Sequence, residues 1–469
     1  MHSGARKIAS LPFAAGQAVA RTAARAAVFP VAAPLSCLNK GIHVPEDISD
    51  LITYDPAEEA DPAETGMDRK SVDAIWKAVE GLYRSGMHPA LSFCLRRNGK
   101  VVLKRAIGYA RGAGPGDPPD AVKVPATPET PICLFSASKA VSAMCIHLLV
   151  EWGKIRLSDP VDYYIPEFSA HGKQNTTIFQ VLSHFSGFPA VPGKTDPDIL
   201  FDFEECSRVL CEAKPLLQSG AHAAYHAITG GFILGAIVKK VTGKDIREFL
   251  AENIQKPMGF STFNYGLPPD RIGDAATNYY TGLPVIAPIN VFVKRVLSAS
   301  WQEVVKVSND RRFMEAIIPS GNMYSTADEA SRFFQMLLNY GELDGVRIFS
   351  PLTVRRATIE ARPQEFDRML FLPMRYSAGF MLGNDPVGMY GPFTRECFGH
   401  WGFINSFCWA DRRRNTVGSL LSTGKPLLGS HLLPHARLLA AISRHCPQVP
   451  GGGEARSRVN RLLGAALKM

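Results

Sequence analysis

Two runs of alternating residues, set far apart in the chain, constrain its fold more than any other feature. In the first, Leu91, Phe93 and Leu95 alternate with Ser92, Cys94 and Arg96 up to Asn98-Gly99, and an extended apolar pattern resumes over 101–107. An Asn-Gly pair between two such runs predicts a β-hairpin closed by a tight two-residue turn. In the second, 405–410 and 416–421 read as strands around the polar turn 411–415, and an apolar helix follows over 432–442. The stretch between them is largely helical in period. Val141, Met144, Cys145 and Leu148 form one stripe of 136–153, and further helices are expected over 177–183, 228–241 and 246–254. Ahead of the first strands, Val72, Ile75, Trp76, Val79, Leu82 and Tyr83 recur at helical spacing up to Gly86. Strands, then helices, then strands and a closing helix imply an α+β fold, in which an antiparallel sheet flanked by helices is interrupted by an inserted all-helical domain. The expected division is a basic extension and linker over 1–65, a discontinuous sheet domain of 66–135 plus 275–445, a helical domain over 136–274, and a basic tail over 446–469.

With 469 residues, 46% of them hydrophobic and 20% charged, the chain can bury a large core, which excludes disordered, collagen-like and small disulfide-stapled classes. Its net charge of +9 is concentrated at the ends. Arg6, Lys7, Arg21, Arg25 and Lys40 stand among residues 1–45 without an acid, and Arg456, Arg458, Arg461 and Lys468 outnumber Glu454 after residue 450. The body is nearly neutral, so no nucleic-acid groove is expected. Arg21 and Arg25 interrupt the apolar stretch that a secretory signal needs, and Pro34-Leu35-Ser36-Cys37 departs from a lipoprotein cleavage site at its proline. The basic N-terminal segment therefore reads either as a solvated arm or as a peripheral contact with an anionic membrane surface. Nine scattered cysteines without a C-x-x-C pair read as buried thiols of a reducing, cytoplasmic compartment.

Three short motifs carry chemistry. Ser136-Ala137-Ser138-Lys139 lies where an extended segment, 132–135, meets a helix. Three-residue spacing puts a hydroxyl and an amine on one helical face, where the lysine can take the serine proton and the helix N-terminus can face an oxyanion. Helix capping would equally explain the serines. A second S-x-x-K, Ser422-Thr423-Gly424-Lys425, follows a strand and contains glycine before Pro426, so no helix would hold its side chains together. Tyr225-His226-Ala227 precedes a helix; its phenol can act as a base only where cations depress its pKa, and packing would explain it as well. His400-Trp401-Gly402 leads into a strand, where glycine permits close backbone approach and the Phe403 N–H can face a carbonyl.

In this order the three motifs resemble the serine β-lactamase and penicillin-binding-protein group, most closely its class C-like branch of family VIII carboxylesterases and transesterases. The similarity extends over roughly 66–445 and takes in Val181-Leu182-Ser183-His184-Phe185-Ser186-Gly187, Pro319-Ser320-Gly321-Asn322-Met323-Tyr324-Ser325-Thr326 and Gly341-Glu342-Leu343-Asp344-Gly345. The resemblance implies that Ser136 is the acylated nucleophile, that Lys139 and Tyr225 shuttle its proton, and that the N–H groups of Ser136 and Phe403 form the oxyanion hole. It places Ala227, His400, Trp401 and Gly402 against the substrate, and implies no metal and no cofactor. Ala227 stands where the family usually has asparagine or serine, and His400 where many β-lactamases have lysine. Both departures favour a small-molecule ester of small to medium acyl chain over a β-lactam. A β-lactamase, a D-amino-acid peptidase and a catalytically silent ligand-binding relative are the alternatives.

Apolar residues crowd 283–305, which reads as an acyl pocket, a lid or a packed helix. His222 and His226 are spaced like helical metal ligands, but H-E-x-x-H is absent and no zinc site is expected. G-x-S-x-G and glycine-rich nucleotide loops are also absent.

Overall fold

The computed structural model describes residues 39–188, 190–191 and 196–449. Arg21, Arg25, Cys37 and the basic residues after 450 lie outside the described residues. Its main strands are β1 (Ile52–Thr53), β2 (Ala90–Arg97), β3 (Lys100–Arg111), β4 (Met381–Leu382), β5 (Cys397–Gly402), β6 (Ser406–Asp411) and β7 (Thr416–Ser422). They form one antiparallel sheet in the order β1-β3-β2-β7-β6-β5-β4, with Val124–Pro125 added against β3. Asn98 and Gly99, at φ 51° and 82°, close the β2–β3 hairpin in the left-handed conformations that its turn requires. The two distant strand blocks meet at mid-sheet, where Leu91 of β2 pairs with Ser422 of β7 and Arg97 with Thr416.

Helices cover both faces of this sheet. On one, Phe93, Leu95, Phe407, Trp409 and Leu420 pack with α1 (Arg69–Tyr83) and α7 (Leu432–His445). On the other, Cys94, Cys408, Ala410 and Val417 pack with α2 (Ser138–Glu151), α3 (Thr229–Thr242) and α6 (Ala327–Leu338). All eight residues of β2 are consequently buried, and the polar side of its alternation is not a wet face. Arg96 reaches into the second layer, 2.6 Å from Asp328 and 2.8 Å from Ser331. This is a mixed α+β architecture, an antiparallel sheet with many helices. The division into a sheet unit and a helical unit over 136–274 is a proposal that the chain order supports.

Two expectations are amended, and of the readings of 283–305 the packed helix is the one observed. The acidic, proline-bearing part of the linker expected before residue 66 is not free: Ile52 and Thr53 pair with Ile107 and Ala106 as the edge of the sheet, because the apolar Ile48 and Ile52 have a core to join. The C-terminal tail starts later than 446, since Cys446 is fully buried and the Val449 N–H donates to Arg413 O at 3.0 Å. The 283–305 stretch is two packed helices, α4 (Ile289–Leu297) and α5 (Trp301–Val307), with Val293, Val296 and Trp301 turned inward. The eight described cysteines are free and buried.

Phe334 of α6 lies between the layers, its ring 6.3 Å from Phe380 and 6.4 Å from Phe398. Phe334→Ala is expected to cost about 3–5 kcal/mol by opening a cavity there. Urea unfolding followed by tryptophan fluorescence would read this as a lowered midpoint, and an unchanged midpoint would contradict the packing.

Candidate active site

A small three-stranded sheet, Ile132–Cys133, Met323–Ser325 and Asn264–Tyr265, delivers the chain to Ser136. The Leu134 N–H donates to Met323 O at 2.7 Å, and Phe135 then turns at φ 46°. Ser136 lies in a single 3₁₀ turn, Phe135–Ala137, immediately before α2, a turn earlier than an α-helical start would place it. Lys139, on the first turn of α2, still reaches it: Lys139 Nζ is 3.0 Å from Ser136 Oγ, 2.7 Å from Ala227 O and 2.9 Å from Ser320 O.

Burial drives the Lys139 amine well below the usual lysine range, and no acidic group offsets it. An ammonium would donate all three hydrogen bonds. A neutral amine donates two, which the carbonyls of Ala227 and Ser320 accept, and offers its lone pair to the Ser136 O–H. Desolvation selects the second arrangement, in which the amine is ready to receive the serine proton. Ser320 is itself fixed, its hydroxyl donating to Ile228 O at 2.6 Å and accepting from the Gly231 N–H at 2.9 Å. A Cβ at Gly231 would come within 2.2 Å of that hydroxyl oxygen, so α3 can approach Ser320 only through glycine.

Tyr225 joins the pair, its ring 5.0 Å from Lys139 Nζ and its phenol close enough to the Ser136 side chain for that hydroxyl to offset part of the rise that burial causes in the phenol pKa. Burial pushes the phenol pKa up, and the Asp367 carboxylate pushes it further. No cation depresses it; the nearest candidate, Lys139, is one whose own charge burial disfavours. The resting site thus pairs a neutral amine with a neutral phenol, and the phenol is a proton donor rather than a base.

What holds Tyr225 was not legible in the sequence. Asp367, fully buried, accepts from the Tyr225 N–H through Oδ1 at 3.2 Å and from the Met369 and Leu370 N–H groups at 2.8 Å each. Its Oδ2 accepts from Tyr376 O–H at 2.8 Å. The His184 ring packs 4.7 Å from Tyr225 and 4.8 Å from Tyr376, and its Nδ1 accepts from the His226 N–H at 3.1 Å. His184 sits in a stretch quoted above, but no spacing rule links Asp367 to Tyr225.

The end of β5 closes the site. A Cβ at Gly402 would fall 2.0 Å from Leu134 O, so only glycine lets the strand lie against the turn that carries Ser136. The Phe403 ring is stacked between Phe135, at 5.0 Å, and Trp301, at 3.9 Å. Neither the Ser136 nor the Phe403 N–H has an acceptor among the described residues. His400 is buried and its pKa falls to about 3. Its Nδ1 must donate to Trp401 O, 2.7 Å away, so the unpartnered Nε2 is a bare acceptor. Trp401 alternates to the other side of β5, where its ring packs 5.2 Å from Phe407. Ala227 contributes its carbonyl, a role that its side chain does not signal.

The remaining candidates stay apart from this cluster. Ser422 Oγ donates to Asn405 O at 3.0 Å, while Lys425 Nζ donates to the Ser422 carbonyl and not to its hydroxyl. His222 meets Glu365 at 3.0 Å and His226 meets Ser186 at 2.7 Å, so the two histidines face different partners.

A serine opening a helix, with a lysine amine on its hydroxyl and a sheet edge beside it, defines a serine hydrolase of the β-lactamase and penicillin-binding-protein fold. The chain belongs to the Beta-lactamase family, whose model matches residues 76–442. It is 30% identical over 315 residues to the Mycobacterium tuberculosis protein named esterase/beta-lactamase LipL, covering 64% of this chain and 70% of that one. Among solved structures it resembles a penicillin-binding protein homolog from Caulobacter crescentus, at 29% identity and TM-score 0.70 over 81% of this chain and 99% of the other. It also resembles a family VIII carboxylesterase, at 26% identity and TM-score 0.69 over 80% and 97%.

Gly402→Ala is expected to push β5 away from Leu134 and lower turnover by about 10²-fold, the scale of losing one oxyanion donor. Stopped-time hydrolysis assays alongside far-UV circular dichroism would check it; full turnover in a folded variant would contradict the close approach.

Proposed function

We propose that the protein is a carboxylesterase that cleaves esters of small to medium acyl chain through an acyl-enzyme on Ser136. The observation that carries this reading is the desolvated Lys139 amine within hydrogen-bonding reach of the Ser136 hydroxyl. In the proposed reaction Ser136 Oγ attacks the ester carbonyl carbon as its proton moves to Lys139 Nζ. The oxyanion accepts hydrogen bonds from the Ser136 and Phe403 N–H groups. Collapse breaks the bond to the leaving alkoxide, which receives a proton from Lys139 by way of Tyr225. A water molecule then attacks the acyl carbon, loses its proton to the same pair, and releases the carboxylate and Ser136.

His400 supports an ester over a β-lactam or a D-peptide. A substrate carboxylate needs a cation or a donor, and the Nε2 of this neutral imidazole is an acceptor that repels it. The similarity to a family VIII carboxylesterase and to a protein named as an esterase supports the same choice. The second name of that relative, beta-lactamase, motivates the alternative, which a chromogenic cephalosporin would distinguish. Cytoplasmic residence is part of the proposal, in line with the free buried thiols. Among the described residues no helix is long and apolar enough to cross a membrane.

Ser136→Ala is expected to abolish the burst of p-nitrophenol from an activated ester and to lower turnover by about 10³-fold or more. Mass spectrometry should find the acyl or fluorophosphonate adduct on Ser136; an adduct elsewhere would overturn the assignment. The lowered Lys139 pKa also sets the pH dependence. The neutral amine is the active form, so kcat/KM should fall as pH drops through that pKa and level off below the range where an ordinary lysine loses its proton. A profile that keeps rising into the ordinary lysine range would contradict a desolvated base.

A further inference from the structure

We propose that the face formed by α4 and the neighbouring hairpin, Glu365–Phe366 with Pro373–Met374, docks on an anionic lipid surface beside the Ser136 cleft. Large apolar side chains point outward there: Ile286 and Val291 are each 67% exposed, and Phe366 and Phe371 each 50%. They are contiguous, since Phe371 packs edge-on against Phe292 of α4 at 5.4 Å and against Phe366 at 6.0 Å. A cluster of exposed aromatic and aliphatic groups of this kind marks an interaction surface.

Charge selects the partner. The face carries the exposed cations Lys294, Arg295 and Arg368; the acid that follows on α5, Glu303, lies within electrostatic reach of Lys294 but is taken up capping that helix at Ser300. Glu365, the acid nearest these residues in the hairpin, is engaged by His222, and Asp367 is buried under Tyr225. Apolar anchors rimmed by exposed cations match the boundary between acyl chains and anionic headgroups.

The chain's exit reinforces the choice. Lys40 pairs with Gly282 through hydrogen bonds of 3.0 and 2.7 Å, four residues before Ile286. The described chain therefore begins next to this face, and the sequence before it carries Arg6, Lys7, Arg21 and Arg25 and no acid. The same face is tied to the site, because Val296 of α4 and Met369 of the hairpin share a core with Tyr225, and Asp367 bonds the Tyr225 N–H. Docking would set the cleft at the lipid boundary, where esters with apolar acyl chains are concentrated.

The full-length protein should co-sediment with vesicles of phosphatidylcholine and phosphatidylglycerol, and much less with phosphatidylcholine alone. The triple variant Val291→Ser, Phe366→Ser, Phe371→Ser should bind the mixed vesicles about tenfold more weakly, and Lys294→Glu with Arg295→Glu similarly. Both variants should retain wild-type hydrolysis of a soluble p-nitrophenyl ester, which separates docking from the reaction. Undiminished sedimentation of both variants would overturn the proposal. So would binding that vanishes on deletion of residues 1–38 yet survives the face variants, which would assign it to the basic segment alone. A wild-type dimer in sedimentation velocity that dissociates in the triple variant would assign the face to a second copy and overturn it too.

Discussion

The site depends on taking one amine out of water. An exposed lysine three residues from a serine would be an ammonium, and it could donate to the hydroxyl but not receive its proton. Here the Ala227 and Ser320 carbonyls satisfy the two N–H bonds of a neutral amine without neutralising a charge, and no carboxylate stands by to restore the ammonium. Much of the surrounding architecture serves that condition. Gly231 lets α3 close on Ser320, and Gly402 lets β5 close on the Ser136 turn, so that three segments distant in the chain exclude water from a single nitrogen.

The same desolvation acts on the neighbours. It raises the Tyr225 phenol and lowers His400 and His184, so burial disfavours charge on each of these neighbours of Ser136, while the buried Asp367 carboxylate lies behind Tyr225. That carboxylate is held by three backbone N–H groups and the Tyr376 O–H, which disperse its charge while fixing the Tyr225 backbone. In a site with so little charge, an oxyanion would be the strongest hydrogen-bond acceptor present, and the two unpartnered N–H groups are the donors proposed for it. A substrate carboxylate, by contrast, would meet the bare Nε2 of His400.

Asp367 also couples the site to the surface. It opens the turn of a hairpin on which Phe366, at the end of the strand, and Phe371, within the turn, are exposed, so the loop that fixes Tyr225 is the loop that meets the outside. The two packed helices of 283–307 complete this arrangement: Trp301 braces the Phe403 ring from within, and α4 shows Val291 to solvent. One amphipathic segment thereby shapes the reactive end of the cleft and its outer rim.

Local chemistry in the sequence determined the hairpin at Asn98-Gly99, the closing strands, the helix that carries Lys139, and the candidate trio of Ser136, Lys139 and Tyr225. Backbone dihedral preferences, hydrophobic period and motif order act over short spans, and they survive in the linear chain. Tertiary structure alone decided the protonation states, because desolvation depends on every segment that packs over a group. It also decided the use of Ala227 and Ser320 through their carbonyls, which side-chain identity does not encode, and the recruitment of Asp367 and His184, whose partners lie at no fixed spacing. The edge strand at Ile52 was hidden for a related reason: an acidic, proline-bearing stretch looks like a linker until a sheet edge is there to pair with it.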